Sequence, residues 1–399
     1  MNRYLVISTD CHAGLLPGQY REYLDPQYRE AYDENIQVQL DSAREMRRSM
    51  ELEEINAKWR EGHEQALTGA WDFDERMKML DGDGIAVEVI FPDGLTENNA
   101  PPFGAGLSIG PLGGERETQW AGARAHNRWV AELCQMAPER CLGVAVVPAT
   151  WDVDEAVREV RWARRNGLGS IMIPVMWGGH AAYHHPKYDP FWAVCQELDV
   201  VVHFHAGPAP REDYFGDTSQ GQEPLVGGMG IYVCEAVWAV VRPLTFFLWG
   251  GVFERFPRLK VVATEITTSW APSFVKHLDE RYFDWHVTAK LGNYHRHLSM
   301  SPGEYFRRNV RMATFFPRKE VEQRHEVGLE CFMWASDYPH PEGTWPQTHE
   351  QLVEAFRGLP EDEIAAMLGG NAADCYGIDV EKLAPLVERI GPEKEMFQA

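Results

Sequence analysis

The chain has 399 residues, 44% of them apolar and 25% charged, with a formal net charge of −22. That length holds one large domain or two ordinary ones, and the composition is that of a globular protein. So acidic a chain is a poor partner for nucleic acid or an anionic membrane surface, although it does not exclude an acidic substrate held by local charge.

Seven cysteines, at 11, 134, 141, 195, 234, 331 and 375, form no CxxC pair. The pattern suits reduced thiols and a cytoplasmic setting better than a disulfide frame. Met1-Asn2-Arg3-Tyr4 leads straight into a strand-like run, so no signal peptide is expected. The longest apolar stretch, 237–252, is broken by Arg242, Pro243 and Gly250, and no membrane span is expected.

In chain order, the first apolar run is 4–9, and it ends in Asp10-Cys11-His12. Residues 26–70 are polar and rich in helix formers, which reads as a helical excursion inserted after the first strand. A helix at 71–80 stops at Gly82-Asp83-Gly84, and a second strand spans 85–91. The Gly/Pro/Asn-rich stretch 94–115 reads as a long loop. Further strands are predicted at 141–147, 170–173, 200–204, 259–264, 310–314 and 331–335, with helices between them. A second glycine-rich loop covers 206–230, and the final helices fall at 349–357 and 361–368.

Eight short apolar strands alternating with helices imply parallel strands covered on both faces. The expected fold is therefore α/β, a (β/α)8 TIM barrel forming one domain over 1–399, with the site at the C-terminal strand ends. A doubly wound open sheet is the structural alternative. A dinucleotide site is not expected, because no GxGxxG follows the first strand.

Polar residues collect at those strand ends. The first strand offers Asp10 and His12, the fifth His203 and His205, the sixth Glu265, and the eighth Asp337. Each alone has an ordinary structural explanation. Asp10 suits a turn, Glu265 a salt bridge, and Asp337 a cap before Tyr338-Pro339-His340-Pro341. Together, in one barrel mouth, carboxylates and imidazoles need a cation between them. Mixed N/O ligation suits Zn²⁺, Mn²⁺ or Fe²⁺, with Zn²⁺ the commonest catalytic ion. His203 and His205 share one face of their strand, and His205, nearer its end, is the expected ligand.

These residues resemble the amidohydrolase superfamily, in particular the branch of aminocarboxymuconate-semialdehyde decarboxylase and related enzymes. The resemblance is carried by Asp10-Cys11-His12, Asp189-Pro190-Phe191-Trp192, residues 201–207, the run 251–257, Ser336-Asp337-Tyr338-Pro339-His340 and Gly370-Asn371-Ala372-Ala373. It implies a barrel with one divalent metal held by Asp10, His12, His205 and Asp337. The family's sixth-strand histidine falls on Glu265, a departure that puts imidazole chemistry from that position in question. No lysine stands at 171–174 to bridge two metals, so one ion is expected.

Two chemistries share this site. As a hydrolase, the main expectation, the chain would use a metal-activated water on a small aromatic or cyclic substrate, with Asp337 or Glu265 as general base and His203 assisting. As the alternative, a metal-dependent decarboxylase would hold an aromatic or unsaturated acid, with Arg211 or Arg242 facing the substrate carboxylate. Tyr338 and His340 are expected at the substrate in either case. A non-catalytic scaffold is the third reading. The partners expected are a small molecule and further copies of the chain, as a homodimer or larger homo-oligomer, with the excursion either covering the mouth or mediating the contact.

Overall fold

The structure, a computed structural model, describes residues 2–49, 53–92, 100–107, 109, 115–175, 177–207, 211–218, 222–284 and 289–398. Eight strands are present: β1 (Ile7–Ala13), β2 (Val87–Pro92), β3 (Cys141–Val146), β4 (Ser170–Met172), β5 (Val201–His205), β6 (Val261–Thr264), β7 (Val310–Thr314) and β8 (Phe332–Trp334). They pair in sequence order, all parallel. Between β8 and β1 the described residues form one isolated β-bridge, Cys11 with Tyr338, beside side-chain hydrogen bonds from Thr9 to Trp334 O and between Ser8 and Ser336. Donation from Asp337 N to Asp10 O and from His12 N to Tyr338 O nearly closes the barrel there.

The strands read as continuous apolar runs because both faces are buried. Inward-pointing Ile7, Val87, Val201, Val262, Ala313 and Met333 form a floor that packs on Leu383 and Val387. The latter two belong to a helix, Val380–Ile390, that the sequence reading did not anticipate. Pro385 inside it reads as a breaker, yet Asp379 caps the N-terminus and the apolar stripe outweighs the proline.

The predicted excursion is helical, as Arg29–Ser49, Glu53–Arg60 and Glu64–Leu67. The apolar stretch around Arg242 and Pro243 lies in one unbroken helix. The helix Gly228–Trp249 runs through both Arg242 and Pro243, and is long and apolar enough to cross a membrane by length and composition. Its second half, with Val240, Val241, Leu244, Phe247 and Leu248, packs into the core around the barrel.

The loop after β8 is tied down from below. Thr344 N donates to Ser336 O, and the Thr348 hydroxyl donates to Asp83 Oδ2 at 2.6 Å. Burial pushes Asp83 up to about 6, above the roughly 3.9 of an unfolded aspartate. The stability it contributes is therefore full below about pH 4 and is lost as pH rises through about 6. Asp83→Asn is expected to flatten the decline of Tm across that window, and an unchanged decline would exclude Asp83 as its source.

Candidate metal centre

Asp10 and His12 lie on β1, two residues apart, so strand alternation sends both side chains into the barrel. His205 ends β5, Glu265 follows β6, and Asp337 follows β8. Among the described non-glycine residues only Phe103, Asp199, Glu265 and Asp337 have positive φ, at +58°, +51°, +58° and +59°. Left-handed backbone is costly for a residue with a Cβ and persists where the surroundings enforce it. Two of the four are the strand-end carboxylates of β6 and β8.

These groups converge. His12 Nε2 lies 3.4 Å from Asp10 Oδ1 and 3.4 Å from Asp337 Oδ1. His205 Nε2 lies 3.4 Å from the same Asp10 oxygen, and its Nδ1 is 3.2 Å from Glu265 Oε2. His340 stacks on His12 at 3.9 Å, with Nδ1 3.2 Å from Asp337 Oδ1. Glu342 joins Glu265, Asp337 and His340 at the exposed lip.

The hydrogen bonds behind the rings set the tautomers. A carbonyl can only accept, so His12 Nδ1 donates to Pro92 O (3.0 Å) and His205 Nδ1 donates to Ala206 O (2.9 Å). Each ring then turns Nε2 toward the carboxylates, the arrangement of an imidazole prepared for a metal. Among the described residues, Asp10 Oδ2, His12 Nε2 and both Asp337 oxygens are buried without a hydrogen-bond partner. Orphaned buried polar atoms are costly, and a cation between them removes that cost.

The charges agree. Burial opposes ionisation of Asp10, but His205 and His12 hold its carboxyl well below the usual range. Burial likewise opposes ionisation of Asp337, and His340 and His12 outweigh it. Burial opposes a charge on His12, yet Asp10 and Asp337 push it up to about 10. His340 is pushed up to about 9 by Asp337 and Glu342, against burial and His12. Glu265 goes the other way for a carboxylate. Burial, then Asp337 and Asp10, hold it well above the ordinary value. The 19% of its side chain still open to solvent tempers the burial contribution. The residues present fit a divalent ion: two carboxylates held ionised and two imidazoles around orphaned atoms, where a cation would take the place of the proton that Asp10 and Asp337 favour on His12.

Not every predicted site residue reaches the cluster. His203 lies one layer deeper, with Nδ1 3.0 Å from the Thr264 hydroxyl and Nε2 3.5 Å from the Tyr376 hydroxyl. Burial, then His205, lower it to about 3, so it is a neutral floor residue rather than a group facing the mouth. Tyr338 turns away as well. Its hydroxyl donates to Ala66 O, and its ring packs with Cys11, Leu67 and Trp345. Arg211 opens the short helix Arg211–Phe215, and its side chain lies outside the described set. Arg242 stacks on Trp177 at 4.6 Å. Much of the predicted roof at 94–115, and parts of 206–230, fall outside the described residues. Sequence reasoning missed Phe91, whose ring lies 4.7 Å from His205 and 5.0 Å from His203. It also missed Glu342, for which the signal was a second carboxylate two residues beyond His340.

A β/α barrel with strand-end carboxylates and imidazoles around a cation site defines a class of metal-dependent enzymes. The amidohydrolase family model matches residues 9–378, and the chain belongs to that family. It is an enzyme of the amidohydrolase superfamily. Gamma-resorcylate decarboxylase of Rhodococcus jostii (strain RHA1) is 27% identical over 240 residues, covering 56% of this chain and 68% of the relative. The 2-amino-3-carboxymuconate-6-semialdehyde decarboxylase of Dictyostelium discoideum is 22% identical over 323 residues, 79% of each chain. Among solved structures, 5-carboxyvanillate decarboxylase of Novosphingobium aromaticivorans DSM 12444, complexed with manganese and 4-hydroxy-3-methoxy-5-nitrobenzoic acid, superposes with a TM-score of 0.65. It is 19% identical, and the match covers 94% of this chain and 97% of that one.

Proposed function

We propose that this chain is a metal-dependent, non-oxidative decarboxylase of a small aromatic or unsaturated carboxylic acid. One observation carries the reading. The two relatives are named as decarboxylases of such acids, and this reading is supported by Asp10, His12 and His205, with Asp337 beside His12, gathering at the strand ends of this barrel. Those four residues would hold one divalent ion, with Mn²⁺ favoured by the manganese in the carboxyvanillate enzyme and Zn²⁺ suited to the same donors. When bound, the ion supplies Lewis-acid charge for the substrate carboxylate and a neighbouring oxygen.

The chain's own groups do the rest. Glu265, beside His205 at the mouth, is the proton carrier. Its carboxyl gives a proton to the carbon that bears the substrate carboxylate. The carbon–carbon bond then breaks, carbon dioxide leaves, and the electron pair of that bond returns to the ring. Glu265 is left as the carboxylate and regains its proton from solvent. Phe91, fully buried against His205, is an apolar wall for a planar ring.

The hydrolase reading asks Glu265 to be ionised so that it can take a proton from water. Its surroundings favour the protonated form, which suits donation. A scaffold gains nothing from four converging ligands with orphaned buried atoms.

The test is a panel of hydroxylated benzoates and unsaturated acids, beside esters, amides and lactones, with Mn²⁺ or Zn²⁺ supplied. Carbon dioxide release from at least one acid, with the esters and amides left intact, is expected. Ester or amide cleavage without any decarboxylation would overturn the assignment in favour of hydrolysis.

A further inference from the structure

Arg76 and Glu88 form an ion pair deep in the protein, on the helix Phe73–Gly82 and on β2, with only 1% and 0% of their side chains exposed. The pair is bidentate: Nε donates to Oε1 and Nη2 to Oε2, each at 2.6 Å. Burying two charges is expensive, and such pairs often add little to stability over an apolar replacement. What the third guanidinium nitrogen does is more informative. Arg76 Nη1 donates to the His12 carbonyl at 2.9 Å and to the Gly69 carbonyl at 3.0 Å.

The His12 carbonyl needs that donor because the barrel seam runs out beside it. The β8 chain bonds β1 through Asp337 N and Tyr338 O. The next residue, Pro339, has no N–H. The one after, His340, donates its N–H back to Asp337 O at 2.8 Å. No β8 donor is left for His12 O, and Arg76 fills the position. The same guanidinium lies 5.7 Å from the centre of the Tyr338 ring, immediately after Asp337 in the chain. The excursion closes the assembly. A Cβ on Gly69 would run into the Tyr338 hydroxyl and the Arg76 backbone, so only glycine fits there.

We propose that Arg76, fixed by Glu88, is a positioning residue that sets His12 against Asp337 across the open seam and thereby sets the affinity of the metal site. It touches neither substrate nor metal. Only a planar fork serves Glu88, His12 and Gly69 at once, a geometry lysine cannot reproduce. The inference rests on reading Asp10, His12, His205 and Asp337 as the metal ligands.

The test is calorimetric titration of Mn²⁺ into the metal-free full chain for wild type, Arg76→Met, Arg76→Lys and Arg324→Met. Arg324 is a control, another buried arginine paired to a carboxylate, Glu363, away from the seam. Loss of groups that orient metal ligands typically costs about 10–100-fold in affinity. Arg76→Met is expected in that range, with Arg76→Lys between it and wild type. Arg324→Met should lower Tm and leave the Mn²⁺ affinity unchanged. A merely structural role for Arg76 would lower Tm equally with and without metal, whereas a positioning role also shrinks the rise in Tm that Mn²⁺ produces. Wild-type affinity in Arg76→Met overturns the inference, as does an equal loss in Arg324→Met. Where Arg76→Met does not fold, wild-type affinity in Arg76→Lys overturns it. Failure of the metal reading itself looks different, because wild type would then take up no Mn²⁺.

Discussion

Asp337→Asn is expected to abolish turnover while leaving the barrel folded. Asp337 is buried, and neither of its oxygens has a hydrogen-bond partner among the described residues. Its charge is held in place by His340 and His12 against the cost of burial. An asparagine keeps the shape and is among the residues that best tolerate the left-handed backbone found there. What it loses is the anion. Lewis-acid assistance is worth several kcal/mol, so kcat should fall by roughly 10³-fold or more. The metal-free variant should melt somewhat below wild type, because the attraction of His340 and His12 for the Asp337 charge outweighs burial and the repulsion from Asp10, and the variant loses it. Turnover within about tenfold of wild type would take Asp337 out of the mechanism.

Glu265→Gln separates proton transfer from metal binding. A positioned general acid contributes typically about 10²–10⁴-fold. The variant should lose that much in kcat and keep its metal content, since Glu265 is not among the four proposed ligands. The pH profile adds a sign. Burial, Asp337 and Asp10 raise Glu265, so the wild-type enzyme is active with Glu265 protonated and loses activity as pH rises through that raised value. That alkaline limb should be missing from the residual activity of Glu265→Gln. Full activity in the variant would return Glu265 to a structural part in the mouth.

The strand-end cluster was legible because a parallel barrel leaves a plain signature. Its strands are buried on both faces, so the apolar run breaks where the chain reaches the mouth, and Asp10, His12, His205, Glu265 and Asp337 stand at those breaks. His203 obeys the same alternation as His205 but one layer down, and spacing alone does not distinguish the mouth from the floor. Tyr338 neighbours Asp337 in sequence and faces the opposite way, toward the excursion. Arg76 lies on a helix with Asp74 and Glu75 and reads as an ordinary surface charge. Its signal was the partner: Glu88 is a lone carboxylate inside an otherwise apolar strand, and such a residue has to be paired. The role of His340 depends on its stacking against His12, which only the turn after Asp337 creates. The apolar run 237–252 reads in the sequence as too interrupted by Arg242, Pro243 and Gly250 to match a membrane span, whereas the helix that carries most of it, Gly228–Trp249, is long and apolar enough by length and composition.

The decarboxylase reading stands on the presence of one divalent ion at the strand ends of β1, β5 and β8. Elemental analysis of the purified protein, with Asp337→Asn and His205→Ala alongside, tests that most directly. About one equivalent of Mn or Zn in wild type, lost or much reduced in both variants, is the expected result. Wild-type protein that holds no transition metal, even after loading with Mn²⁺ or Zn²⁺, would contradict it.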